Sequence, residues 1–480
     1  MSPPPASEYD EEDDVPGDAP SPRPGPPPHL AELTLTTLTA DRFEEFHRAA
    51  ERGFQEEAPP EFLEAERAAT EPERFFGFTV DGRWVSTFGS VRRMLTVPGG
   101  AAVPMSGVTA VTVHSAYRRR GLLRRAMARE FELARTRGET IAALYASESG
   151  IYGRFGYGVA TAKYLLSGRT DALALRPDVA ARLDAAGGSV DEVPGGEFVG
   201  LVANLHERLR ARRPGSLDRP RAWWAVRLSD PPAWRNGATA LRYVICYDAT
   251  GRIDGFATYR VKGGEDDAGN PAGQVLIGEV EAVSPTGYAR LWRYLADLDL
   301  VRTFRAQRAA LDEPLLSMVA DPRAIVTRRE DGLYVRLLDV AAALAIRRYA
   351  APIDIVIEVR DEVLPEQAGR YRVRAEPVAP HTGGSGTGSF GAGRSGAADA
   401  ENADAQGDLV TSGLAADVAR VDAAPNLTLS VRELGAAYLG GTSLGALHAA
   451  GLIDEHCPGA VARASAAFGW PIAPFCADMF

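Results

Sequence analysis

Residues 108–158 constrain this chain more tightly than any other stretch. Residues 108–113 (VTAVTV) have β-type composition. A basic turn, Tyr117-Arg118-Arg119-Arg120-Gly121-Leu122-Leu123, then opens a helical pattern that runs to about residue 134. A second strand follows at 141–146 (IAALYA), and after it the string 147–158 (SESGIYGRFGYG). The first amides of a helix have no intrahelical partner and sit at the positive end of its dipole, so a strand–turn–helix unit of this kind suits a diphosphate. Gly121 lets backbone approach a ligand closely, and the arginines add charge complementarity. The turn contains neither Gly-x-x-x-x-Gly-Lys-Ser/Thr nor Gly-x-Gly-x-x-Gly, which removes the P-loop and dinucleotide-fold readings.

The turn resembles the Arg/Gln-x-x-Gly-x-Gly/Ala acetyl-CoA loop of the GNAT N-acetyltransferases, read here as Arg118-x-x-Gly121-x-Leu123, with the last position departing from the pattern. Tyr152-x-x-x-Gly156-Tyr157 resembles the aromatic-x-x-x-Gly-Phe string that follows the next strand in that superfamily. The full string 146–158 behind Arg118–Leu123 is narrower and resembles the Eis (enhanced intracellular survival) family. The resemblance implies an α/β (α+β) architecture of tandem GNAT-type domains followed by a sterol-carrier-protein-like domain. It covers about residues 31–480, the Gly/Ser-rich insertion excepted.

Length allows several domains, and a 45% hydrophobic content supports sizeable cores. Residues 1–30 are acidic and proline-rich and are expected to be a disordered tail. Residues 31–165 form the expected catalytic domain, with a strand near 33–36, a helix from Asp41 to about residue 54, strands at 75–80, 83–91 and 93–97, and then the donor loop. An acidic segment lies at 55–61. Residues 166–327 resemble a degenerate second GNAT half: between 275 and 298 no Arg-x-x-Gly-x-Gly/Ala turn occurs, so donor binding is expected to be lost there. Residues 328–480 resemble the sterol-carrier-like domain, entered at Asp331–Leu344 and carrying a Gly/Ser-rich flexible insertion at about 381–405. The formal charge of −11 argues against general nucleic-acid binding and suits a cationic partner. Cys246, Cys457 and Cys476 lack metal-ligand spacing, and no metal is expected; sparse cysteines and the absence of a secretory signal or apolar span point to the cytoplasm and away from membranes.

Acetyl transfer to an amine needs a held donor, an amine that loses its proton and a thiolate that receives one. Backbone groups of Val111, Thr112 and Val113 are placed to pair with the pantetheine arm as a strand would, and amides from Arg119, Arg120, Gly121, Leu122, Leu123 and Arg124 to cradle the pyrophosphate. The resemblance adds Ser147 and Glu148 to the acetyl-CoA site. Tyr152 is the expected general acid, its phenol being protonated at neutral pH; a buried anchor for the 153–158 turn is the alternative. His114 is one candidate base. The family resemblance favours another, the C-terminal carboxylate of Phe480, and implies an amine pocket with Glu56 and a second-domain tryptophan, read as Trp224 of the Trp223–Trp224 pair. Substrates implied are aminoglycosides, polyamines or lysine side chains, and the implied assembly is a homohexamer. The rival reading is an inactive CoA-binding sensor or a lipid-carrying scaffold.

Overall fold

In the computed structural model, which describes residues 33–377 and 413–480, three sheets organise the chain. The tail at 1–30 and the insertion at 381–405 lie outside the described residues.

The first sheet contains β1 (Thr34–Thr37), β2 (Phe75–Val80), the short β3 (Arg83–Trp84), β4 (Ser86–Thr96), β5 (Ala102–Val113), β6 (Ile141–Tyr145) and β7 (Gly158–Val159). The two strands expected at 83–91 and 93–97 are mostly one strand, β4. It pairs with β5 from Thr96↔Ala102 onward because Pro98, Gly99 and Gly100 make the turn between them. One face carries α1 (Phe43–Phe54), whose Phe43 and Phe46 pack with Phe75 and Trp84 of the sheet. The acidic segment does not stay extended: Pro60 starts a further helix, α2 (Pro60–Ala69), its fixed φ suiting the first helical turn. The other face carries α3 (Leu122–Thr136), which buries Leu122, Ala126, Met127 and Phe131 against Phe78, Val108 and Leu144.

The second sheet is built from β8 (Ala162–Arg169), β9 (Ser189–Val193), β10 (Arg242–Tyr247), β11 (Ile253–Lys262), β12 (Gly273–Ala282), β13 (Val301–Ala309) and β14 (Val326–Asp331). It repeats the first design: β12 and β13 are a parallel pair joined through the helix Pro285–Ala296, as β5 and β6 are joined through α3.

The boundaries read from sequence shift in one important place. The segment taken as the entry to the third domain first returns to the first sheet, where β15 (Leu333–Leu337) lies between β6 and β7. All five of its residues are buried, which demands an interior position, and Arg336 is tolerated there because Asp361 accepts from it at 2.7 Å. Likewise the chain leaves the first sheet after β7 and enters the second as β8, whose Ala162 pairs with Asp331 of β14, so these two strands border the second unit.

The third sheet has β16 (Ile353–Arg360), β17 (Gly369–Ala375), β18 (Ala416–Arg420), β19 (Leu427–Ser430) and β20 (Ile453–Glu455). Its core runs on into the first: Leu95, Met105 and Ile141 share one apolar cluster with Ile355, Leu434 and Phe468. Arg347, fully buried, stacks on Tyr349 and Phe468 at 4.8 and 4.7 Å and donates to the Tyr438 and Phe468 carbonyls. No described helix is long and apolar enough to cross a membrane.

Candidate active site

Two irregularities open the first sheet. β5 and β6 pair in parallel only from Met105↔Ile141 to Gly107↔Ala143, so the next six residues of β5 leave that ladder while still pairing with β4. Within them a bulge places Ala110 at φ 52°, and the register to β4 shifts there. Val111 and Val113 turn towards α3 and join the cluster that contains Tyr152; Thr112 turns the other way, onto α1 at Gly53, and bonds Thr87 at 2.6 Å.

The basic turn supplies an anion cradle. Arg119 and Gly121 both have positive φ, 61° and 77°, which folds the loop tightly at the start of α3. Gly121 is the N-cap and offers no side chain, so the first amides of α3 remain uncapped, and a Cβ at Gly121 would meet nothing. Arg120 stacks on Tyr117 at 4.9 Å, and its Nη1 is buried without a hydrogen-bond partner. Uncapped amides, an unsatisfied guanidinium nitrogen and open space fit a diphosphate bounded by a free strand edge. Leu122 is buried in the helix core and Leu123 half-buried, so both serve through their backbone; Arg124 is exposed, and so are Ser147 and Glu148 beyond β6.

Tyr152 ends the short helix Ser149–Tyr152 and is buried against Tyr157, ring centroids 6.2 Å apart. Burial, and next the charge of Glu148, raise its pKa above the ordinary phenol value, so the hydroxyl stays protonated. Gly156 at φ 85° turns the chain beneath it against Val431 of the third domain. His114 is exposed and its Nδ1 accepts from the Ala116 amide, a capping role that leaves it facing solvent.

Next to the bulge lies a cavity of about 540 Å³, bounded by α1, α2 and residues Thr109 and Ala110 of β5. Its walls carry Glu51, Glu56, Glu57 and Glu66 among Phe43, Phe46, Phe54, Phe62 and Phe75. Glu56 is thus one of four glutamates on the cavity wall. His47 reaches Glu66 at 2.6 Å; burial lowers its pKa, but the bond to Glu66 and the charges of Glu66 and Glu51 outweigh burial and raise it.

Trp224 is a correction. It is buried in the second unit's core, against His206 and Phe198 and beneath the Arg219 guanidinium at 4.8 Å. The second-domain tryptophan on the cavity wall is Trp234, held outward after Pro231 and Pro232 and packed on Phe62 at 4.6 Å. Its neighbour in the earlier pair, Trp223, lies under Arg93 at 4.6 Å and in the same apolar cluster as Phe480.

The last residues thread between all three units. Phe475 donates to Pro214, Tyr145 donates to the Cys476 carbonyl at 3.3 Å, and Asp478 pairs with Arg219 at 2.8 Å. The Phe480 ring ends against β5: a Cβ on Gly107 would come within 2.9 Å of it, and Tyr145 meets it edge-on at 5.7 Å. Burial pushes the Asp478 carboxyl up, but Arg219, Arg93 and Arg227 outweigh burial and hold it at about 2.

Matches to known proteins agree with this geometry. Residues 34–160 and 215–337 each match an acetyltransferase (GNAT) domain, and residues 340–477 match a sterol carrier protein domain. An uncharacterised N-acetyltransferase of Streptomyces coelicolor is 38% identical over 423 residues, covering 87% of this chain and 92% of that one. N-acetyltransferase Eis of Mycobacterium tuberculosis is 35% identical over 272 residues, 56% of this chain and 64% of its own. The crystal structure of Eis1 from Mycobacterium abscessus superposes with a TM-score of 0.73 at 28% identity, covering 93% and 100% of the two chains. The chain belongs to the Eis family of GNAT N-acetyltransferases.

In the second unit of this acetyltransferase the corresponding helix start is capped from within the protein. Where a diphosphate would meet the helix Pro285–Ala296, Ser284 caps the Gly287 amide at 2.9 Å and Asp254 accepts from the Ser284 amide at 3.1 Å. The protein supplies its own anion there. Nearby, burial and then Glu279 push the Glu281 carboxyl up to about 7. An acid whose folded pKa is raised destabilises the fold as pH climbs from its unfolded value through the folded one. Glu281→Gln is thus expected to unfold with the parent near pH 4.5 and to be more stable above pH 7, by on the order of 2 kcal/mol. Thermal unfolding at both pH values checks this; equal stability at pH 8 contradicts it.

Proposed function

We propose that this enzyme transfers the acetyl group of acetyl-CoA to primary amines of cationic molecules, of the aminoglycoside, polyamine or lysine side-chain class. One juxtaposition carries the reading: an acidic, aromatic-walled cavity abuts Thr109 and Ala110 on the same β5 segment whose pairing with β6 ends at Gly107. Carboxylates recognise ammonium groups, and rings stack on cationic faces. The free edge accepts the pantetheine arm by strand-like pairing, and the Arg119–Arg124 turn takes the pyrophosphate.

In the reaction the amine nitrogen attacks the thioester carbonyl carbon, the N–C bond forms and the C–S bond breaks. Tyr152 gives its phenolic proton to the departing thiolate, and the ammonium formed on nitrogen loses a proton to the carboxylate of Phe480. A terminal carboxylate has an ordinary pKa of about 3.5, so its first task is to bind and orient the amine and its second to accept the proton. Assembly as a homohexamer belongs to the same reading. Among the described residues of the third unit, Arg347 stacks on Tyr349, Tyr438 and Phe468 in a buried cluster, which favours this reading over the alternative of lipid carriage.

The test is CoA release from acetyl-CoA with kanamycin, spermidine and a lysine peptide as acceptors. Turnover with at least one is expected. In the Glu56→Gln/Glu57→Gln double variant, KM for the amine is expected to rise about tenfold with kcat nearly unchanged, as for lost ground-state binding. Acetyl-CoA binding without turnover on any amine favours the inactive sensor instead.

A further inference from the structure

The second acetyltransferase unit has a cleft in the place where the first receives its donor. β12 and β13 run parallel from Gly273↔Val301 to Ile277↔Ala306 and then separate, as β5 and β6 separate after Gly107↔Ala143. The gap is a cavity of about 360 Å³, and residues of the tail, Phe475, Ala477 and Asp478, form part of its wall. Helix-end capping by Ser284 and Asp254 closes this cleft to a diphosphate, yet its strands still carry ionic side chains turned inward.

One of these is Glu279, on the segment of β12 beyond the β13 ladder. It takes two bonds from Arg219, at 2.6 and 3.2 Å, and one from Arg227 at 3.3 Å. Arg219 turns its Nε to Asp478 at 2.8 Å. All three members, Glu279, Arg219 and Asp478, are almost wholly removed from solvent. Arg219 is held from below as well, by the Trp224 ring. A buried, bidentate, doubly paired guanidinium is a rigid joint, because each charge loses its compensation if the others move. Asp478 stands two residues before Phe480, whose ring is seated on Gly107 of the first unit. Arg93, reaching from β4 and tied to Asp218, adds positive charge beside the same tail.

We propose that Arg219 is a positioning residue for acetyl transfer: with Glu279 behind it and Asp478 in front, it fixes the tail in the second unit's vestigial donor cleft and so sets where Phe480 meets the acetyl site. The second unit then contributes to the reaction through the berth it gives the tail. This inference rests on the proposed role of Phe480, and the experiment separates the two.

Arg219→Gln, Asp478→Asn and Arg227→Gln are compared with the parent in the full chain, with kcat, KM for the amine and acetyl-CoA affinity measured for each. Arg227 bonds Glu279 and reaches Asp478 only through its charge, with no hydrogen bond to it, so its variant removes a partly buried charge while leaving the Arg219–Asp478 tie in place. The expected result is a kcat loss of about tenfold or more for Arg219→Gln and Asp478→Asn, with acetyl-CoA affinity kept and Arg227→Gln within about threefold of the parent. The double variant of Arg219 and Asp478 should lose little more than either single one, since both cut the same tether. Should Arg219→Gln fail to fold, Asp478→Asn, nearly isosteric and on the tail itself, carries the test alone. The proposal is overturned if Asp478→Asn keeps kcat within twofold, or if Arg227→Gln loses as much as the tail variants. A chain lengthened beyond Phe480 supplies the separate arm. Loss of turnover on lengthening, with Asp478→Asn unaffected, sinks the tether and keeps Phe480; turnover undisturbed by lengthening removes the Phe480 role and the tether's purpose with it.

Discussion

Tyr152→Phe is expected to lower kcat by about 10²- to 10⁴-fold, the usual worth of a positioned general acid, while acetyl-CoA binds as before. The change deletes one oxygen and keeps the ring, so its edge-on packing against Tyr157 and its place in the cluster with Phe131, Leu144 and Tyr334 are retained. What is lost is a proton held in readiness. Burial raises the phenol's pKa, and the Glu148 charge raises it further, so at neutral pH the group is a donor and not a phenolate. The other phenol at that end of β6, Tyr145, donates its proton to the Cys476 carbonyl at 3.3 Å, which leaves Tyr152 as the acid offered to the thiolate. Single-turnover measurements with saturating acetyl-CoA isolate the chemical step. A variant that retains its parent's rate there assigns Tyr152 to packing alone, the role its 8% exposure also allows.

The parts of this site that could be read from sequence are those written in consecutive residues. The Arg118–Leu123 turn sits at the mouth of α3 because its signals are local: a glycine that accepts positive φ, three arginines and an apolar periodicity that begins at Leu122. Tyr152 and the Gly156 turn are equally local. Glu56 was legible only as one acid in an acidic stretch; α2, which folds back to complete the cavity with Phe62 and Glu66, gives no cap signal except Pro60.

The misses share a physical cause. β15 carries the alternation and burial of any interior strand, and nothing within residues 333–337 states that its partners are β6 and β7, some 190 residues back. The tryptophan error has two sources. Adjacent residues on a helix point about 100° apart, so Trp223 and Trp224 in the seven-residue helix Arg221–Arg227 face different surroundings, and nothing in the pair itself says which one is buried. Trp224 took the core side because Arg219 and His206 close around it. The cavity's own tryptophan, Trp234, stands outside any periodic segment, and its one sequence signal is the Pro231–Pro232 pair that holds it at the surface.

With Phe480 as the final residue of the expressed chain, appending a flexible Gly-Ser-Gly segment is expected to cost at least about 10²-fold in kcat, with acetyl-CoA affinity preserved. Crowding around the ring fixes its place on β5. Gly107 has no Cβ, and one placed there would meet Val91 at 2.8 Å and Phe480 at 2.9 Å, so the ring is seated as closely as the strand permits. Tyr145 closes its edge, and the tail leading to it is tied at Ala473, Phe475, Cys476 and Asp478. A tail held at so many points, with its last ring seated on β5, limits how far the Phe480 α-carboxylate can stray from the strand that is proposed to carry the thioester. Appending residues turns that carboxylate into an amide carbonyl, which neither attracts an ammonium nor takes its proton, and moves the new charge away on a flexible linker. The ring itself need not shift, so stability should change little and the loss should fall on kcat and on KM for the amine. Gly107→Ala gives the complementary result: the carboxylate remains but the ring is displaced by roughly the few tenths of an ångström that a methyl group requires, and an intermediate loss of about tenfold is expected, since small misplacements of reacting groups are costly. If both variants turn over like the parent, the proton leaves the amine by another route, and the crowded seat of Phe480 serves only to pin the tail.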